Sequence, residues 1–594
     1  MVRILVGLAA LASIAFADIT FNVIGYPSTT GGGFGVSING AVTKLTTNET
    51  IFPVHTGSVP GTDGNVQYQY VELNSGGSPV KTEAFTRKLN QTTDVRTDNE
   101  FFERPITRHN IVRLPYSYMV TWPSKSKVFK EDQIATLHLT GPVANVTLMN
   151  SQPESETEVR VTFRFINAKT IYTQTNITLK TAGKSSKSFA KQAYKISFDT
   201  DYNQTFFSRP NIKLRSMATE PSYMREKLYI DMLNSVGVPT QQGSYVRLFV
   251  NNEAYGLYLM VDDIKKSFIK QTVNGGDPTT VPGSLIQANA PSRAEAADLV
   301  WKGPTGASYN KDNYISQSLG SNTELEPLGQ LIAFMKDLLD FNPTTTPNPV
   351  EYWTARLDLD GFLRNMALEY LMGAFDNYWI GGSNYFIYFN PKLGSGKWQW
   401  IPTDFDGTFG NGADIDPAGS YKTVYNMQID HPLVSKLILN CPPINAMFVE
   451  VLKNIVSTTF KPEAMDPHID SVHAMISEDA KWDLGLTRHS PGTDYKYDWA
   501  IDFTGNLVNI TKNMNGALKP WVATRAANIS AELGFTLPAG TADRVAPTPR
   551  PGKDDDDDDA GAGSDGKGDS GAGTLAATGL ATVVALVSAI MFIA

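Results

Sequence analysis

The chain has 594 residues, of which 41% are hydrophobic and 10% aromatic, enough for large packed cores and more than one domain. Its formal net charge of -9 argues against a nucleic-acid partner. A single cysteine, Cys441, excludes an intramolecular disulfide, and the absence of a Cys/His zinc cluster, a G-x-S-x-G elbow and a G-x-x-x-x-G-K-[ST] loop sets aside the commonest hydrolase and NTPase classes.

In chain order, Met1-Val-Arg3, the apolar run Ile4–Ile14 and the small residues Ala15-Phe-Ala17 form the pattern of a secretory signal peptide over residues 1–17. Sequons at Asn48, Asn90, Asn145, Asn176, Asn203, Asn509 and Asn528 each predict an exposed N-glycosylation site. Residues 18–105 alternate in the strand manner, as in Thr20-Phe-Asn-Val-Ile24 and Val66-Gln-Tyr-Gln-Tyr-Val71, between Gly, Pro, Asn and Ser turns. This is the pattern of a small β-sandwich, acting as a spacer or as a binder of carbohydrate or protein. A linker over 106–125 leads into a main body over 126–535.

The main body opens with strand-like runs at Ala135–Leu139, Val159–Phe165, Tyr172–Leu179 and Ala193–Phe198, with the turn Gly183–Lys187 between the last two. A helix is predicted over Tyr223–Val236, capped by Ser222 and stopped by Gly237, and a hairpin over Tyr245–Val261. Strands, one helix and more strands make an N-lobe-like order. Residues 275–323 read as a polar insertion rich in turn formers. Helices at Leu325–Leu339, Asp360–Ala374, Val434–Leu439, Asn445–Val456, Met465–Asp479 and Trp521–Leu533 would fill a mainly helical C-lobe, so the expected fold class is α+β with two lobes.

The chemistry-bearing stretch is Phe375 to Gly410. Asn384–Phe389 and Lys397–Thr403 read as a hairpin, with Asp376 and Asn377 just before it and Asp404 and Asp406 just after it. The outer ends of a hairpin fall on one edge, so all four side chains can converge. An Asp, an Asn, a hairpin and a second Asp beside Phe or Gly is how kinase-like phosphotransferases arrange a base and their Mg²⁺ ligands. Asp404 and Asp406 lie beyond an aromatic strand where an unpaired carboxylate is costly; a metal ion, an Arg partner or a helix cap would each resolve that cost. Upstream, Lys213 and Arg215 are two apart on a strand and point the same way, so either can hold phosphates. Glu226, in the first turn of the following helix, either pairs with that cation or stabilises the helix dipole. Gly183–Lys187 with Lys191 is a further candidate for covering phosphates, or a plain turn.

This block, with Asn211-Ile-Lys-Leu-Arg-Ser-Met217, Ser222-Tyr-Met-Arg-Glu-Lys-Leu228 and the Tyr245–Asp262 hairpin, resembles the CotH spore-coat family, nearest in kind to the surface members of Mucorales-type moulds. The resemblance implies an atypical protein-kinase-like domain over 126–535, using ATP and Mg²⁺, with Asp376 in the base position and Asn384, Asp404 and Asp406 as metal ligands. It further implies Lys213, Arg215 and Glu226 at the nucleotide phosphates, and the adenine ring at the connection between lobes formed by Val261-Asp-Asp263. Some family members are invasins, which makes a host-cell receptor or other coat and wall proteins the expected partners; the alternative is an active secretory-pathway Ser/Thr kinase. After the main body, residues 536–570 carry prolines, the acid run Asp554–Asp559 and Gly/Ala repeats, the composition of an extended stalk. The small residues from Ser570 and the uncharged tail Leu580–Ala594 match a glycosylphosphatidylinositol signal over 571–594, with Ser570 as attachment site. That tail is shorter than the ~20 apolar residues of a spanning helix.

Overall fold

The computed structural model describes residues 17–541, apart from the short segments 62–64, 91–94, 122–127, 277–280, 321–325 and 425–430, the stretch 496–516 and residues 119, 203 and 293, together with Thr548–Pro549. The signal segment before Ala17, Asn203, Asn509, the acid run, Ser570 and the apolar tail lie outside the described residues. Among the described residues no helix is long and apolar enough to cross a membrane.

Eight strands form the N-terminal part: β1 (Ile19–Ile24), β2 (Gly33–Ile38), β3 (Ala41–Lys44), β4 (Val54–Val59), β5 (Asn65–Leu73), β6 (Pro79–Thr82), β7 (Arg87–Asn90) and β8 (Arg96–Phe101). One sheet has the order β4-β1-β8; the other runs β3-β2-β5-β6, with β7 also on β5. The alternation in the sequence places Phe21 and Val23 of β1 and Val66, Tyr68 and Tyr70 of β5 in one shared core. A short β9 (Val120–Thr121) pairs in parallel with the distant strand at Thr548–Pro549.

The next seven strands close into a barrel, a closure that the expected N-lobe-like order did not include. These are β10 (Ala135–Thr140), β11 (Val159–Ile166), β12 (Ile171–Ala182), β13 (Ala193–Ser197), β14 (Asn211–Arg215), β15 (Gly243–Val250) and β16 (Glu253–Asp262). Closure comes from the parallel pairing of β10 with β15, between segments more than a hundred residues apart. Inward side chains such as Phe163, Ile196, Leu214, Leu248 and Met260 fill the barrel. Outward ones on β15 and β16, including Tyr245, Leu257, Leu259 and Val261, join the large helical core. Helix α1 (Val143–Ser151) connects β10 and β11, and α2 (Arg225–Val236) lies between β14 and β15. Helix α2 begins two residues later than expected, because Tyr223 holds a left-handed φ of 57° that a helix cannot contain. Gly237, at φ 70°, closes it as predicted.

The short α3 (Lys266–Phe268) leads to a second sheet of order β18-β17-β19-β20, with β17 (Ser284–Ala288), β18 (Tyr314–Leu319), β19 (Tyr385–Asn390) and β20 (Lys397–Pro402). The segment read as a polar insertion thus supplies two strands; both are short, and their Ser and Gln residues hide the alternation. Helices α4 (Gly329–Asp340), α5 (Pro349–Thr354), α6 (Leu359–Leu371), α7 (Tyr378–Gly381), α8 (Pro442–Thr458), α9 (Pro462–Leu484) and α10 (Leu518–Glu532) complete a mixed α+β structure.

Helix α9 is fastened to the barrel by buried charges. Asp479 takes both arms of Arg247 at 2.7 Å and Arg104 at 3.2 Å, so one carboxylate joins the N-terminal sheets, the barrel and the helix. Asp483, fully buried, receives Lys191 at 2.9 Å, the Tyr223 hydroxyl at 2.6 Å, the Leu257 amide at 3.1 Å and Arg488 at 3.2 Å. Lys191 is therefore consumed by the fold, and Lys187, paired with Glu156 at 2.7 Å, likewise serves the turn rather than an open phosphate site.

Candidate functional site

On β14, Ile212 and Leu214 enter the barrel core, which turns Lys213 and Arg215 outward. The two then part company. Arg215 donates through Nε to Glu226 at 2.9 Å, through Nη1 to Asp404 Oδ2 at 3.2 Å and through Nη2 to Asp404 Oδ1, and lies 3.8 Å from Asp406. Lys213 pairs instead with Asp263 at 2.9 Å. The sequence could not separate them, because both face one way; the first turn of α2 selects Arg215. Glu226 is 3% exposed, whereas Asp404 and Asp406 are 36% and 40% exposed, so Glu226 orients the guanidinium from behind while the two aspartates face the opening.

Side chains that the sequence reading passed over hold this arrangement. The second oxygen of Glu226 accepts from Gln241 at 2.9 Å, and Gln241 accepts from the Thr403 hydroxyl at 3.0 Å. Asn411 donates to the Asp406 carbonyl at 2.8 Å, and the Thr219 hydroxyl reaches the Asp406 carboxylate at 3.4 Å. Arg225, wholly buried and paired with Glu220, donates to the Thr408 carbonyl at 3.1 Å and fixes the loop after Asp406. Of these, Arg225 lies in the family-like stretch Ser222–Leu228 and Thr403 in the hairpin block, whereas Gln241 and Asn411 belong to no motif.

The hairpin places the other acid. Thr403 donates its amide to the Asn384 carbonyl at 3.0 Å, aligning the two outer ends of β19 and β20. Asn384 Nδ2 donates to Asp376 Oδ2 at 2.8 Å, so of its side chain only the oxygen is left to face a cation. Asn377 is buried and donates to the Thr403 carbonyl at 3.0 Å, stitching the hairpin ends instead of joining the acids. Helix α6 stops at Leu371, three residues short of the expected Ala374, and Asp376 lies in the turn between α6 and α7. Asn384, Asp404 and Phe409 all hold positive φ, at 57°, 61° and 48°, and such backbone costs about 1–3 kcal/mol each. Asn384 and Asp404 lie at the two ends of the hairpin beside the acids, while Phe409 is buried.

Partial removal from water and then the neighbouring Asp404 push the Asp406 carboxyl up to about 7, even though 40% of its side chain stays exposed, and burial raises Glu226. Two carboxylates held together, one of them reluctant to ionise, fit a hard dication that would neutralise both. Among the described residues no group of three or more Asp, Glu, His or Cys forms a ready cage. Mg²⁺ takes one or two protein carboxylates and completes its shell with water and phosphate, and Asp404 and Asp406 are two carboxylates facing one opening. Two grooves of about 770 Å³ each lie beside α5 and α8, and neither is lined by Asp404 or Asp406.

Behind the hairpin, buried Glu369 of α6 accepts from the Trp379 amide at 2.7 Å and from Asn365 at 2.9 Å, and burial pushes it up to about 8. A folded value above the unfolded one of about 4.3 means that this group's stabilisation is complete below about pH 4 and is lost as pH rises through 8. Glu369→Gln should remove that slope and leave the variant on the order of 1–3 kcal/mol more stable than the parent at pH 9. Melting temperatures of both proteins from pH 4 to 9 would reveal it; parallel curves would refute the assignment.

The remaining candidates are dispersed. Asp262 pairs with Arg209 at 2.6 Å, and Asp263 lies between Lys195 and Lys213. Asn48, Asn90, Asn145 and Asn176 are exposed. Asn528 departs from the expectation, being half-buried on α10 with its amide donating to the Gly419 carbonyl at 3.3 Å.

A family model described as CotH kinase protein matches residues 179–526, more than half of the chain and the whole of the site above. Invasin CotH3 of Rhizopus delemar is 29% identical over 556 residues, covering 88% of this chain and 85% of that protein. Invasin CotH2 of the same mould is 28% identical, covering 89% and 86%. The inner spore coat protein H of Bacillus subtilis is 22% identical over 300 residues, half of this chain and 75% of the relative. The extent of the family match places the chain in the CotH kinase protein family.

Proposed function

We propose that this chain is a surface-displayed CotH protein of host-cell adhesion or spore-surface structure that retains a kinase-like phosphotransfer site. The carrying observation is the meeting of Arg215 with Glu226, Asp404 and Asp406 at the strained end of the β19–β20 hairpin. In this reading the barrel and α2 form one lobe, the second sheet and the later helices the other, and the N-terminal sheets a sandwich in front of them. Asp404, Asp406 and the Asn384 oxygen would hold Mg²⁺, which supplies positive charge for the phosphoryl group being transferred. Arg215 stays oriented by Glu226 through Nε, so its two Nη groups can turn from Asp404 to the phosphate oxygens of ATP. Asp376, steadied by Asn384, takes the proton of an acceptor hydroxyl.

Display rests on the secretory signal, the sequons, the stalk and the lipid-anchor pattern, together with the invasin and spore-coat names of relatives matched over most of their length. Release by phosphatidylinositol-specific phospholipase reads the anchor, and saturable binding to mammalian cells reads adhesion. For the site, the purified protein with ATP and Mg²⁺ should phosphorylate Ser-rich coat proteins. Asp376→Ala should lose transfer and keep nucleotide binding; equal transfer by the variant would remove Asp376 from the base position.

A further inference from the structure

Two lysines pair with one carboxylate beside the site, and a third lies within electrostatic range of them. Lys195 of β13 and Lys213 of β14 are cross-strand partners on the outer face of the barrel. Their ammonium groups lie 3.1 Å and 2.9 Å from the two oxygens of Asp263, which is only 2% exposed. Lys265, two residues farther on, makes no ion pair with Asp263; it gives its ammonium to the side-chain oxygen of Gln317 on β18 and feels Asp263, Lys195 and Lys213 only through space. Gln317 is itself held by Gln287 of β17 at 2.9 Å. The adjacent Asp262 offsets none of this charge, since it is taken by Arg209 at 2.6 Å. Among the described residues Asp263 is the one carboxylate ion-paired with these lysines, so three cations face one anion.

A structural role for Asp263 needs one cation, or two. The third adds repulsion without adding a pair. Burial lowers the Lys265 ammonium, Asp263 offsets part of that, and Lys195 and Lys213 lower it further. Lys195 and Lys213 are 25% and 39% exposed, so a solute can reach them. Three donors on separate segments, with two positive charges in excess, match a doubly charged group that carries several acceptor oxygens.

We propose that Lys195, Lys213 and Lys265, gathered around Asp263, form a subsite for a phosphoryl dianion. The subsite adjoins the Arg215 site along β14, two residues away on the same strand face, and its chemistry does not depend on a metal at Asp404. A free pyrophosphate and the phosphate tail of a nucleotide share the required group, and the test separates them.

The test is calorimetric titration of the full secreted chain with inorganic pyrophosphate in the absence of divalent metal, in parallel with ATP plus Mg²⁺. Pyrophosphate should bind the wild type and weaken with added salt. Lys195→Gln and Lys265→Gln should each weaken it by about tenfold while melting temperature holds. Asp404→Ala should leave metal-free pyrophosphate binding intact even where it abolishes ATP binding, which keeps failure of the phosphotransfer reading apart from failure of this one. Dependence of ATP binding on the same two lysines assigns the subsite to the nucleotide tail, and independence assigns it to a free phosphate; either accords with the subsite. No pyrophosphate binding by the wild type, or equal binding by the folded lysine variants, would overturn it.

Discussion

Replacing Asp404 by Ala should lower Mg²⁺-dependent phosphate transfer by about 10²–10³-fold, the usual scale for removing a preorganised electrostatic group from an active site. Asp404 carries two burdens: it would ligate the cation, and it holds the Nη side of Arg215. Its loss leaves Asp406 as the one remaining carboxylate for the metal and leaves Arg215 steered by Glu226 alone. Asp404 is 36% exposed and its pairing partially solvated, so the fold should survive with little change in melting temperature. A purely structural carboxylate predicts the reverse, a drop in stability with no activity to lose. Transfer rate and melting temperature, measured on the same preparation, separate the two.

Asp483→Ala should be the most destabilising single change in the barrel region, by roughly 3–5 kcal/mol, because it strands buried cations without their counter-charge. Lys191 is 3% and Arg488 8% exposed, and both converge on Asp483 together with the Tyr223 hydroxyl and the Leu257 amide. The carboxylate is closely seated: Gly256 adopts φ 120° directly against Asp483, and a Cβ there would overlap its carboxylate. Urea unfolding of the parent and variant would measure the loss. A difference below about 1 kcal/mol, the scale of an exposed pair, would show that this network is solvated and not the clamp between α9 and the barrel.

The parts of the fold that follow from local patterning were legible in the sequence. Period-two alternation marked β1, β5, β11 and β12, and the runs Asn384–Phe389 and Lys397–Thr403 placed the hairpin β19–β20 to within a residue at each end. Helix α2 was visible in its apolar spacing and its closing glycine, though not in its start, which depends on the left-handed Tyr223. What stayed hidden were pairings fixed only in three dimensions. Barrel closure joins β10 to β15 across the whole intervening chain, and β17 and β18 find their sheet only by docking on β19. The choice of Arg215 over Lys213 was hidden for the same reason, since it depends on where α2 and Asp404 arrive. Glu369, Gln241 and Asn411 carry no motif, and Arg225 only its place in the family-like stretch Ser222–Leu228; their importance comes from burial and from the partners that folding brings to them.

The most direct measurement is calorimetric titration of the purified wild-type protein with ATP in the presence and absence of Mg²⁺. A cleft in which Arg215, Glu226, Asp404 and Asp406 form a phosphotransfer site predicts a saturable heat at millimolar ATP or below that requires Mg²⁺. Its affinity should rise as pH increases toward 7 and level off above, because ligating the metal displaces the proton that Asp406 holds below about 7. Silence across that range, from a folded protein, would contradict the phosphotransfer reading and leave the CotH body as a binding surface alone.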